Sequence, residues 1–106
     1  MAIHRTLPHL VCYDITCRRR LQRIHRLLKQ QGIALQYSVF LLYLTRAERE
    51  ALIESLRLLM DESCDDVRVY PLPAKPDWQT WGKPYWDEGM LWLDDRPFPR
   101  HVDSLE

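Results

Sequence analysis

Between Arg18 and Gln31 (RRRLQRIHRLLKQQ), Leu21, Ile24, Leu27 and Leu28 recur at helical intervals, while Arg18, Arg19, Arg20, Arg23, Arg26 and Lys29 fall on the opposite side. This predicts a helix that is apolar on one face and strongly cationic on the other. Its flanks carry a different signal, and that contrast narrows the possible folds. His9 to Ile15 (HLVCYDI) is short, apolar and rich in strand formers, follows Pro8, and reads as a strand with Asp14 at its carboxyl end. Thr16 is placed to cap the helix and Gly32 to end it. Ala34 to Leu44 (ALQYSVFLLYL) is apolar and aromatic, and reads as one long strand or as two short strands around a bend near Tyr37 to Phe40.

Thr45-Arg46-Ala47-Glu48 has the form of a capping box, in which the Thr and Glu side chains each satisfy an orphan amide at a helix start. A second helix is expected from Arg46 to Met60, with Leu52, Leu56 and Leu59 as its core stripe and Ile53 and Met60 widening it. Asp65 to Leu72 (DDVRVYPL) alternates polar and apolar residues, with Val67, Val69 and Pro71 on one side, and Pro71 places the end of this strand near a sheet edge. The order β, α, β, β, α, β predicts an α+β, ferredoxin-like core over residues 1–72, with two helices on one face of an antiparallel sheet. Six of the seven prolines occur from Pro71 onward, and all four tryptophans lie between Trp78 and Trp92. Residues 73–106 therefore read as an arm packed on a sheet rather than as an independent domain, with Met90 to Leu93 as a short strand inside it.

A chain of 106 residues is near the usual size of a single domain. The longest purely apolar run, Val39 to Leu44, is far short of the roughly 20 residues that span a bilayer, and Met1 to Pro8 lacks the apolar centre of a signal peptide. A cytoplasmic location is the expectation. Cys12, Cys17 and Cys64 are odd in number and contain no CxxC pair, which argues against a disulfide framework and a structural zinc site. The formal net charge is zero but unevenly divided: Met1 to Leu44 sums to +6, while Thr45 to Leu72 and Pro73 to Glu106 each sum to −3. Any nucleic-acid footprint belongs to the first part.

Asp14 is the only carboxylate of that basic part and stands where a strand meets a helix. Its bland reading is an Asx-type bond to the following turn. Its functional reading is a metal ligand: one carboxylate alone makes a poor metal site, but magnesium is commonly held by one or two carboxylates together with substrate phosphates. A two-fold homodimer would supply a second Asp14 if the strand ends face each other. Arg18, Arg19, Arg20, Arg23 and Arg26 are either a solvated helix face or a phosphate-binding surface that positions nucleic acid without reading its sequence. Ser38 has no visible His-Asp partners for nucleophilic catalysis. His4, His9, His25 and His101 show no paired ligand spacing, so each reads as a surface or capped histidine. Asp65-Asp66 and Asp94-Asp95 read as the start of one strand and the end of another, and packing is the favoured use of the tryptophans over base stacking.

LVCYDI, the Arg-rich helix, GIALQYSVFLLYLT and DDVRVYPL, in this order and spacing across His9 to Leu72, resemble the small CRISPR-associated endonuclease family called Cas-two, which partners the CRISPR integrase in spacer acquisition. The resemblance implies a ferredoxin-like homodimer in which Asp14 matches the family's signature acid and would be the catalytic Mg²⁺ or Mn²⁺ ligand for phosphodiester hydrolysis. The family's Tyr before that acid matches Tyr13, its basic positions fall on Arg18 to Arg20, and its Q-x-S-x-F strand matches Gln36, Ser38 and Phe40. Members are assigned cleavage of single-stranded RNA, cleavage of double-stranded DNA, or no catalytic need at all within the integration complex, where the alternative is an adaptor that bridges integrase subunits and holds protospacer DNA. The family pattern assigns no residue in the Trp-rich arm.

Overall fold

The computed structural model describes residues 5–83 and 100–102. Its elements follow the expected order: β1 (Leu7–Asp14), α1 (Arg18–Gln31), β2 (Gly32–Gln36), β3 (Val39–Leu44), α2 (Arg46–Leu59) and β4 (Asp66–Pro71), with short strands β5 (Gln79–Trp81) and β6 (Arg100–Val102) beyond. The first four strands form one sheet in the order β2-β3-β1-β4, every neighbouring pair antiparallel. This is the ferredoxin-like topology that the sequence predicts.

Alternation along the strands sorts their side chains between two faces. Val11 and Tyr13 of β1 and Phe40, Leu42 and Leu44 of β3 point to one face, where they pack with Ile24 and Leu28 of α1 and Leu52 and Leu56 of α2. Both helices therefore cover the same side of the sheet. Ile53, expected to widen the α2 stripe, lies at its margin and is exposed, whereas Leu59 and Met60 pack against the core. His9 resolves to the capped alternative: it is buried on the helix side, and its Nδ1–H donates to the Leu7 carbonyl at 2.8 Å. Burial pushes its pKa down.

Of the two alternatives for Ala34 to Leu44 the structure takes the pair of short strands, with Tyr37 and Ser38 forming a tight turn between β2 and β3. Two local features differ from the sequence expectation. Thr16 does not cap α1; the N-cap position is Cys17, which makes no side-chain cap hydrogen bond. Gly32 does follow the last helical residue, and its N–H closes on the Leu28 carbonyl, but its backbone is extended rather than left-handed. Glycine is needed there for closeness, since a Cβ would lie 2.5 Å from the Leu41 carbonyl oxygen and 2.6 Å from Leu42 Cγ.

Thr45 and Glu48 form the capping box as expected. β4 is an edge strand and ends at Pro71, where the missing N–H removes no ladder bond from a sheet interior. β5 and β6 pair in parallel and were not foreseen as strands. The strand expected at Met90 to Leu93 lies outside the described residues.

Candidate nucleic-acid and metal site

The loop between β1 and α1 brings three chemically different groups to one corner. The first is Asp65, immediately before β4. Its side chain is fully buried, and its two oxygens accept from the Thr16 N–H (2.9 Å), the Thr16 hydroxyl (3.0 Å), Arg20 Nε (2.7 Å), Arg20 Nη2 (3.1 Å) and the Asp61 N–H (2.9 Å). The Arg20 guanidinium, followed by these amide and hydroxyl donors, holds the Asp65 carboxyl well below the usual carboxylate range. Asp65 thus joins the β1–α1 loop to the turn after α2. It accepts from none of the α1 amides, but it neutralises one arginine of the first turn, Arg20, from a distant part of the chain.

The second group is Arg20. The sequence places it with the phosphate ligands, but the structure commits its Nε and Nη2 to Asp65, and Nη2 also approaches Thr16 Oγ1 at 3.2 Å and Cys64 Sγ at 3.3 Å. Three adjacent arginines are thereby separated in role. Arg18 and Arg19 are exposed, as are Arg23 and Arg26 farther along α1, and none of these four makes a side-chain hydrogen bond or ion pair among the described residues. Arg19, Arg23 and Arg26 form one stripe running about 10 Å along the helix axis.

The third group is Asp14, the last residue of β1. Its side chain is exposed and has no hydrogen-bond partner among the described residues; the Asx-type bond does not form, and the Thr16 N–H that would donate it is given to Asp65. Antiparallel register sets Asp14 opposite Asp66, on the side of the sheet away from the helices. Directly opposed like charges destabilise a strand pair. Asp66 is partly relieved by Arg68, whose Nε donates to it at 3.0 Å, whereas Asp14 has no such neighbour. A free carboxylate with a second one across the ladder suits a hard, oxygen-seeking divalent cation, although no group of three His, Cys, Asp or Glu ligands occurs among the described residues.

The remaining motif residues support this corner. Tyr13 is buried; its N–H donates to the Ser38 carbonyl at 3.1 Å, and its hydroxyl donates to the Tyr37 carbonyl at 3.3 Å and lies 3.1 Å from His25 Nδ1. The β2–β3 turn is thereby tied to the end of β1 and to α1. Phe40 belongs to the core and stacks near Tyr13 with ring centroids 6.3 Å apart, while Gln36 is exposed at the end of β2. Sequence reasoning missed Asp65 and Asp66 because their partners are set by tertiary pairing and strand register.

The fold and the corner together define a ferredoxin-like α+β protein that presents an unpaired acid beside a cationic helix. The profile of the family described as CRISPR associated protein Cas2 matches residues 8–80. A CRISPR-associated endoribonuclease Cas2 from Nitrosomonas europaea is 43% identical over 83 residues, 78% of this chain and 79% of that protein. Among solved structures, a hypothetical protein from Thermus thermophilus superposes with a TM-score of 0.68 at 32% identity, covering 74% of this chain and 94% of its own. Cas2 from Streptococcus pyogenes superposes with a TM-score of 0.60 at 32% identity, covering 63% of this chain and 87% of its own. The chain belongs to the Cas2 family. No helix among the described residues is long and apolar enough to cross a membrane.

Proposed function

We propose that the chain acts in CRISPR adaptation as a cytoplasmic homodimer that hydrolyses phosphodiester bonds of RNA or DNA with Mg²⁺ or Mn²⁺ held at Asp14. The carrying observation is the exposed Asp14 carboxylate, without a partner among the described residues, one short loop before a helix whose arginines Arg18, Arg19, Arg23 and Arg26 are equally unengaged. The endoribonuclease named among its relatives supports the same reading. Asp14 would hold the ion with the partner's Asp14, because one chain offers too few ligands alone. When bound, the metal supplies charge stabilisation for the leaving oxygen and a more acidic water. Arg18, Arg19, Arg23 and Arg26 hold the flanking phosphates, and Arg20 acts as a positioning residue by fixing Asp65 and the loop that carries Asp14. The free thiols of Cys12, Cys17 and Cys64 suit a reducing compartment.

The scarcity of ligands within one chain also favours a second reading. In this reading the dimer bridges subunits of the CRISPR integrase, and the arginines hold protospacer DNA without cleaving it. Asp14→Asn separates the two. Under the nuclease reading, cleavage of single-stranded RNA or duplex DNA in Mg²⁺ falls by more than the roughly 100-fold that loss of an outer-shell partner costs a metal site, with the dimer and nucleic-acid binding retained. Cleavage by Asp14→Asn at the wild-type rate would exclude it. Under the adaptor reading, the same variant leaves spacer acquisition unchanged.

A further inference from the structure

A cleft of about 500 Å³ opens between α1 and the β2–β3 turn, lined by Leu21, Gln22, His25, Arg26, Lys29 and Tyr37. Its volume lies within the range of small-molecule sites, about 300–1,000 Å³. None of its lining residues is acidic, and two are cationic. Tyr37 is 67% exposed although it sits beside a packed aromatic group, which is an unusual place to leave a tyrosine ring in solvent.

The ring is held in place from behind. Tyr13 gives its single hydroxyl proton to the Tyr37 carbonyl, so the 3.1 Å contact with His25 is satisfied when His25 Nδ1–H donates to the Tyr13 oxygen. The His25 ring lies against Tyr37 with centroids 6.4 Å apart and an interplanar angle of 28°, and meets Phe40 edge-on at 5.3 Å. Phe40 is fully buried, so the chain from core to Tyr37 is continuous. Arg26 belongs both to this cleft and to the stripe that begins at Arg19.

We propose that this cleft is a subsite for one unpaired base of a single-stranded nucleic acid, with the base stacked on Tyr37 and its neighbouring phosphates held by Arg26 and Lys29. The inference rests on the phosphate-binding role given to α1 above and adds a base-stacking subsite in the cleft beside it. A base inside a duplex has both faces covered by its neighbours, so only an unpaired or extruded base can offer a face to Tyr37. Stacking on an aromatic side chain tolerates any base, and the flanking cations contact backbone, so the subsite distinguishes single strand from duplex and not one sequence from another.

The test is a titration of the full chain with a short single strand carrying 2-aminopurine, with the matching duplex and with free adenosine monophosphate, for the wild type, Tyr37→Ala and Tyr37→Trp. The Tyr37 carbonyl, not its ring, makes the structural hydrogen bond, so both variants keep the turn, which circular dichroism checks. Removing one base–aromatic stack weakens single-strand binding about 5- to 150-fold. Tyr37→Ala is expected to show that loss with duplex binding unchanged and to lose the quenching of 2-aminopurine, while Tyr37→Trp retains both. Equal losses for strand and duplex, or none for the strand, would overturn the inference and leave the phosphate role of α1 standing. Binding of adenosine monophosphate as tight as the strand would also overturn it, since the arginine stripe would then add nothing. If the wild type bound neither strand nor duplex, the phosphate role itself would fall.

Discussion

The two helices of this fold are equal in length and lie on the same face of the sheet, yet they begin in opposite ways. α2 starts with a complete capping box: the Glu48 amide donates to Thr45 Oγ1 at 3.1 Å, the Thr45 amide donates to Glu48 Oε1 at 2.8 Å, and an acid stands in its first turn. α1 starts with three arginines, no acid in its first turn and no side-chain cap. Cations at a helix N-terminus oppose the macrodipole, each by about 0.3–1 kcal/mol when exposed. α2 is therefore closed by its own sequence, whereas the cationic start of α1 is offset only by Asp65, far away in the chain, and only for one of its three arginines. The remainder of that cationic start is left for an external anion, and Asp14 lies beside it.

Asp65→Asn attacks the comparison at its strongest point and carries the largest expected effect on stability. The variant removes the charge that faces Arg20 and places amide hydrogens against the donors of Thr16 and Asp61. Thermal unfolding is expected to drop several-fold more than for loss of the α2 cap. Because the folded pKa of Asp65 lies below its unfolded value, its contribution is fully present above about pH 4 and is lost as pH falls through that value toward the folded one. The wild type should therefore lose Tm below about pH 4, and Asp65→Asn should show a shallower acid limb. An unchanged Tm at neutral pH would mean that α1 needs no external closure.

Reversing charge at Arg19 and Arg23 tests the other half of the comparison. Neither guanidinium has a partner among the described residues, so Arg19→Glu with Arg23→Glu should leave Tm unchanged or raise it slightly by relieving the dipole. Nucleic-acid affinity should fall, and the slope of log K against log salt should shrink by about 0.9 per lost phosphate contact on duplex DNA, or about 0.7 on a single strand. Arg46→Glu, at the first position of α2, should leave that slope alone. Equal effects from both helices would show that the binding follows net charge and not the open start of α1. Under the adaptor reading, the same double reversal lowers spacer acquisition while Asp14→Asn does not.

What was legible in the sequence follows the same division. Signals completed within a few residues carried through: the amphipathic period of α1, the Thr45–Glu48 box, the apolar and aromatic run before it and the strand ending at Pro71. The hairpin was legible only as an alternative, because Tyr37-Ser38 has none of the Asn-Gly or Gly-led chemistry that marks two-residue turns. The site was read in part. Asp14 stands out as the lone acid of a basic region, but nothing local separates Arg20 from Arg18 and Arg19. Only the fold shows that one of the three faces a buried carboxylate. Asp66 became a neighbour of Asp14 through a strand register that sequence spacing does not determine.

The smallest expected effect comes from Thr45→Ala, and it controls for all the others. The substitution removes the oxygen that accepts the Glu48 amide and leaves Glu48 reaching back to a backbone N–H without its reciprocal partner. Loss of such a cap costs about 1 kcal/mol, which for a domain of this size lowers Tm by roughly 4–8 °C. Thr45→Asp should recover most of that loss, because its carboxylate can accept the same amide and also favours the helix dipole. Nucleic-acid affinity and its salt slope should be unchanged in both variants, since α2 opens on satisfied backbone groups and on a single arginine, Arg46, where α1 opens on three. A Thr45→Ala variant that weakened binding as much as reversal at Arg19 and Arg23 would show that destabilising either helix disables the surface. The difference between the two helix starts would then concern stability alone.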